Sequence, residues 1–145
     1  MREEELNEKK KKMAMIVSSG TMDKLYSVMM LASAASSMDV EVHLFFTFWG
    51  LNALKKGGID KAELPSNVGI STDMLKGRLK ELKIPTLSEL LAMCKESGNV
   101  KIYACSSTME IMNVKKEDLI PEVDEIAGAA AFTGIALDSN VSLFV

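Results

Sequence analysis

A chain of 145 residues, 48% hydrophobic and 26% charged, fits one globular domain with a full core. A net charge of −3 excludes the clustered basic face that nucleic acid requires, and no run approaches the roughly 18 apolar residues of a membrane span. Met1-Arg2-Glu3-Glu4-Glu5 does not open a signal peptide, so the expected location is the cytoplasm, with Cys94 and Cys105 as reduced thiols.

Residues 1–12, mostly Glu and Lys, read as a solvated leader, and residues 13–145 as a single α/β domain. Met13 to Val17 is a continuous apolar run, the pattern of a strand covered on both faces. The small-residue turn Ser18-Ser19-Gly20-Thr21 leads into a helix ending near Ser37, with Leu25, Val28, Met29, Ala32 and Ala35 on one side. That turn could cradle an anion, but it has neither glycine-rich phosphate fingerprint. Val40 to Phe48 reads as a second strand, and Trp49 to Leu54 opens a helix that stops at Gly57-Gly58. His43 shares a strand face with Phe45 and reads as a packed histidine rather than a proton shuttle. Phe48 and Trp49 sit at a strand's carboxyl end, where they either wall a pocket or pack an oligomer interface.

Residues 57–85 do not fit a minimal alternating fold and read as an inserted helical flap, with Leu75, Leu79 and Leu82 as one stripe between Thr72 and Lys83. Thr86-Leu87-Ser88-Glu89 has capping-box spacing and starts a helix to about Ser97, with Leu87, Leu90, Leu91 and Met93 inward. Glu122 to Ile126 reads as a short extended piece, Gly128 to Ala136 as a helix whose small residues allow close packing on a sheet, and Val141 to Val145 as a last strand. The 11 methionines fit adaptable packing rather than metal binding, and with one histidine and no C-x-x-C no metal site is expected.

Val100 to Cys105 is the stretch with most chemical content. Val100, Ile102 and Ala104 alternate with Lys101 and Tyr103, so the stretch reads as a strand that ends on a cysteine. Ser107-Thr108-Met109-Glu110 has S-x-x-E spacing, which predicts a capping box and a helix starting at Ser107. Cys105 then sits on a strand-to-helix turn, where backbone donors and the helix dipole favour a thiolate and accept an anion; Glu110, folded back, would oppose it. Strands alternating with helices imply a mainly parallel sheet of four or five strands in a three-layer α/β/α sandwich. One rim would gather Ser18 to Thr21, Thr47 to Trp49, and Cys105 to Met109. Cys94, on the helix before the Cys105 strand, falls too far away for a disulfide.

Three segments carry a resemblance: Phe46-Thr47-Phe48-Trp49-Gly50-Leu51-Asn52; Ala104-Cys105-Ser106-Ser107-Thr108-Met109-Glu110-Ile111-Met112; and Gly128-Ala129-Ala130-Ala131-Phe132 with the closing Val141-Ser142-Leu143-Phe144-Val145. From about Met13 onward the chain resembles the DsrE/DsrF-like family, in particular the subgroup often labelled peroxiredoxin-like, although it holds no peroxidatic motif. The resemblance implies a DsrEFH-like fold, a homo-oligomer (trimer or tetramer), and one cysteine, here Cys105, that carries sulfur as a persulfide or thiosulfonate without a cofactor. It further implies exchange with a small TusA-like carrier and a persulfide or sulfur-oxyanion donor. Asn113 departs from the pattern, standing where a glycine is usual.

Three functions follow. The first is sulfur trafficking on Cys105, a sulfurtransferase in the loose sense, with the amides of Ser106, Ser107, Thr108 and Met109 as donors and an exposed thiol. The second is a thiol oxidoreductase or peroxide sensor, which needs a resolving thiol from elsewhere. The third is a non-enzymatic small-molecule module using Ser18, Ser19, Gly20 and Thr21, with Cys105 merely packed.

Overall fold

The structure, a computed structural model, describes residues 9–145; most of the expected leader, residues 1–8, lies outside the described residues. Five strands form one parallel sheet: β1 (Lys12–Val17), β2 (Glu41–Phe46), β3 (Val100–Cys105), β4 (Glu125–Ala127) and β5 (Val141–Phe144), in the spatial order β4-β3-β2-β1-β5. Each parallel step needs a crossover, and the helices that supply these crossovers cover the sheet.

Alternation along the strands divides the core in two. Met15, Val17, Val42, Leu44, Phe46, Ile102 and Ala104 turn to one face, where they meet α1 (Met22–Ser37) and α3 (Leu87–Glu96). Ala14, Phe45, Tyr103 and Cys105 turn to the other, where Phe132 of α5 (Ala129–Leu137) lies on them. The result is a three-layer α/β/α arrangement. The first face is the thicker one. Leu25, Val28 and Met29 of α1 are sealed from solvent, and burial of each such side chain contributes about 1.5–3 kcal/mol.

Several local expectations are corrected. Residues 48–54 wind as a 3-10 helix instead of an α-helix. Phe48 starts it with φ of 44°, and Gly50 lies so close to the Val17 carbonyl that any Cβ there would collide. In α3 the buried stripe is Leu87, Leu90, Leu91 and Cys94, while Met93 points outward, because the 3.6-residue period places position 94 rather than 93 on the inner face. The capping box at Thr86 and Glu89 does form. In α5 only Phe132 is buried; Ala129, Ala130 and Ala131 face solvent rather than the sheet.

The segment 57–85 carries the short helix α2 (Thr72–Glu81), capped by Ser71. No residue of this helix is buried, and its Leu75 and Leu79 rest partly on the first-face core. No helix among the described residues is long and apolar enough to cross a membrane.

Candidate functional site

The site forms where the chain leaves β1, β2 and β3. Cys105 is the last residue of β3 and the N-cap of a six-residue helix, α4 (Ser106–Ile111). This corrects the expected start at Ser107. With Cys105 as N-cap, Ser107 falls inside the first turn and Glu110 beyond it, so the S-x-x-E box does not assemble. Glu110 is exposed and does not fold back on the sulfur. Beyond α4, Asn113 takes φ of 52°, the left-handed position where glycine is usual and asparagine is tolerated.

Two threonine hydroxyls hold the turn together. Thr47 Oγ and Thr108 Oγ are 3.1 Å apart, and the Phe48 amide donates to Thr108 Oγ at 2.9 Å. Thr108 is buried, 1% exposed, while Thr47 is half-buried. The Phe48 backbone adopts its left-handed conformation where its amide meets Thr108.

Burial is the largest influence on the Cys105 thiol and raises its pKa. The Thr108 hydroxyl and amide, the Thr47 hydroxyl and the Ser107 amide together outweigh it, and the thiol titrates below an ordinary cysteine. The resting sulfur makes no strict helix-capping hydrogen bond; the surrounding donors are arranged for a charge that develops on ionisation. Cys94 contrasts with it. It is buried on the opposite face of the sheet, beside the Met29 carbonyl, and burial pushes its thiol up. Both cysteines are free thiols.

The expected exposure of Cys105 is also corrected. Only 5% of its surface is accessible, and it packs with Ala14, Phe45, Tyr103 and Phe132. Phe132 stacks on Phe45 with ring centroids 4.7 Å apart and meets the edge of Tyr103 at 5.5 Å. α5 therefore covers the cluster in which the thiol is buried. Tyr103 in turn bonds His43 Nδ1 at 2.7 Å, and His43 Nε2 bonds Glu41 Oε1 at 2.8 Å, so His43 is a packed histidine with both ring nitrogens engaged.

The remaining expected rim residues divide. Ser18 is tied to the end of β5: its amide and hydroxyl both donate to the Val145 carbonyl, and its own carbonyl accepts from Gly50. Ser19 and Thr21 bond each other at 3.0 Å, so this turn spends much of its polar capacity internally. Gly20 packs against the Trp49 carbonyl, which joins the turn to the aromatic segment. Phe48 and Trp49 are exposed, Trp49 to 63%. Ser106 is half-buried beside Gly128, Ser107 is exposed and Met109 is buried. Sequence reasoning placed Thr47 and Thr108 at the rim but missed the pairing of their hydroxyls, and it missed Phe132. The one large residue in an alanine and glycine run was the available signal for the second.

The arrangement defines a parallel α/β protein with a single activated, covered thiol at a strand end. A family profile described as DsrE/DsrF/DrsH-like family matches residues 9–68 and 64–144. The chain is 34% identical to Sulfur carrier protein DsrE2 of Allochromatium vinosum, over 93% of this chain and 98% of that one. It is 32% identical to the uncharacterized protein YrkE of Bacillus subtilis, over 97% and 100%. The chain belongs to the DsrE/DsrF/DrsH-like family. Its fold is similar to that of MTH1491 from Methanobacterium thermoautotrophicum, a protein of unknown function, with a TM-score of 0.57, 12% identity, and 92% and 96% of the two chains covered.

Proposed function

We propose that this protein is a sulfur-relay protein that carries sulfane sulfur or thiosulfonate covalently on Cys105 and exchanges it with a small TusA-like carrier. The observation behind this is a thiol with a lowered pKa among four donors, in a chain related to a sulfur carrier protein. In loading, the Cys105 thiolate attacks the outer sulfur of a donor persulfide; the donor S–S bond breaks and the donor leaves as a thiolate. With tetrathionate the same attack leaves a Cys105 thiosulfonate and releases thiosulfate. Neither step needs a metal, a cofactor or an outside electron acceptor. The Thr47 and Thr108 hydroxyls and the Ser107 and Thr108 amides receive the charge, and α5 moves to admit the donor.

The proposal extends to the assembly. Residues 13–145 act as one unit, with the segment 57–85 gating the rim or reaching a neighbouring subunit. A homo-oligomer, trimer or tetramer, would cover Leu137 and Phe144, which are 83% and 73% exposed. Two free thiols suit the reducing cytoplasm. A redox sensor on Cys105 would need a resolving thiol from another chain, since Cys94 is sealed beneath the opposite face.

Intact-mass spectrometry of wild type and Cys105→Ser after polysulfide, thiosulfate, tetrathionate or hydrogen peroxide tests this. Sulfane or thiosulfonate adducts lost in the variant are expected. Oxygen additions alone would favour the redox reading, and no adduct at all would favour a binding module.

A further inference from the structure

Away from Cys105, the segment 57–85 borders an open cavity of about 600 Å³ between α2, the start of α3 and the first turns of α1. This lies within the roughly 300–1,000 Å³ typical of small-molecule sites. Its floor is apolar: Met22, Ile59 and Leu87 are buried core residues whose surfaces line it. Its roof is α2, whose apolar stripe is unfinished. Leu79 faces the cavity and is only half-buried, and no α2 residue is fully covered by protein. The helix is held over a space that the chain does not fill.

The charges around this space are lopsided. Lys76, Lys80 and Lys83 line it at intervals of four and three residues, on the same side of the segment as Leu79. None of them forms an ion pair with a carboxylate among the described residues. Lys76 reaches only the Asp60 backbone carbonyl, at 3.5 Å. Of the two acidic residues on the lining, Glu89 has its carboxylate turned to the Thr86 amide as part of the α3 cap. The Tyr26 hydroxyl is likewise engaged, donating to the Pro85 carbonyl. The Asp60 carboxylate also lines the space, so the apolar floor is edged by three ammonium groups outside any ion pair among the described residues and by two carboxylates, one of them engaged in the cap.

We propose that this cavity binds a small amphipathic anion, an aliphatic or aromatic body bearing one carboxylate or sulfonate. The body lies between Leu79 and the Met22, Ile59 and Leu87 floor, and the head meets Lys76, Lys80 and Lys83. A neutral amphiphile would leave the ammonium groups unanswered. A small inorganic anion would leave the floor wet.

Calorimetric titration of the full chain with decanoate, below its micellar concentration, is the test, with decanol as the neutral probe. Saturable one-to-one binding is expected, at least tenfold weaker for decanol, weakened by salt, and at least tenfold weaker in the exposed double variant K80E/K83E. L79W, which fills the space, should abolish it, with circular dichroism showing both variants folded. Equal binding of decanol and decanoate, no response to K80E/K83E, or no saturable binding overturns the proposal. Binding of anionic phosphatidylglycerol vesicles without decanoate binding overturns it too, and would reassign the lysines to a bilayer surface. Cys105→Ser should bind decanoate as wild type does, so the outcome is independent of the sulfur-relay reading.

Discussion

The hydroxyls of Thr47 and Thr108, contributed by segments 61 positions apart in sequence, meet at 3.1 Å beside the Cys105 sulfur. Thr108 Oγ already accepts the Phe48 amide, so its single proton is free to be donated. Two hydroxyl protons therefore serve three possible acceptors: the sulfur and the two threonine oxygens. When the thiol ionises, both hydroxyls have an acceptor in the sulfur; when it is protonated, one hydroxyl donates to the other. The pair answers the charge state of Cys105 without moving the backbone.

Thr108→Val removes one of those protons and the acceptor of the Phe48 amide. Loss of a charge-assisted hydrogen bond of about 1.5 kcal/mol predicts roughly tenfold slower alkylation of Cys105 at pH 7, with the midpoint of the pH profile moved upward. Thr108→Ser keeps the hydroxyl and should restore most of the rate. A valine variant with an unchanged profile would remove the hydroxyl from the account.

The two cysteines should separate by pH. The Cys105 thiol lies below the ordinary value and Cys94 above it, so limited alkylation of the native protein near neutral pH should label Cys105 first. For Cys105 the folded value is depressed. Its contribution to stability is therefore present above the ordinary thiol pKa and lost as pH falls through the lowered one. Peptide mapping after a short exposure checks the order. Cys94 labelled first would contradict it.

Phe132 controls access. Phe132→Ala removes the ring that stacks on Phe45 and closes the cluster holding Cys105. It should cost about 3–5 kcal/mol of stability and raise the alkylation rate at Cys105. Phe132→Leu, a milder change, should raise the rate less and keep the fold. Unchanged rates in both variants would mean that donors reach the sulfur by a path that avoids α5.

Tyr103 carries a pH signature of its own. Burial, helped by Glu125, Asp124 and Glu41, pushes its phenol up to about 12. A raised folded value gives stability that is full below the ordinary tyrosine pKa of about 10 and is lost as pH rises through about 12. Burial raises Tyr26 as well, so ultraviolet titration should show both tyrosines late and the phase at about 12 missing in Tyr103→Phe. The same variant leaves His43 Nδ1 without its partner, at a cost of about 1–3 kcal/mol.

Much of the frame was legible because hydrophobic period is a local signal. The apolar run at Met13 to Val17, the stripe from Leu25 to Ala35 and the cap at Thr86 each state their element within a few residues. The rim followed from topology, since parallel strands bring their carboxyl ends together. What failed depended on distant contacts. The carbonyl of Val17, in β1, leaves room only for glycine at position 50 of the tight turn after Thr47. The helix begins at Ser106 because β3 ends with Cys105 already in position to cap it, which the S-x-x-E spacing does not encode. The cluster that buries Cys105 is completed by Phe132, 27 positions later in the chain.

The most direct test is to load the native protein with an organic persulfide at neutral pH, remove the donor, and follow its intact mass while a small cysteine-bearing carrier is added. The account predicts that sulfane sulfur appears on Cys105 and then passes to the carrier, with neither event in Cys105→Ser. A native Cys105 that stays unmodified while the denatured chain is labelled, or that gains only oxygen, would contradict it.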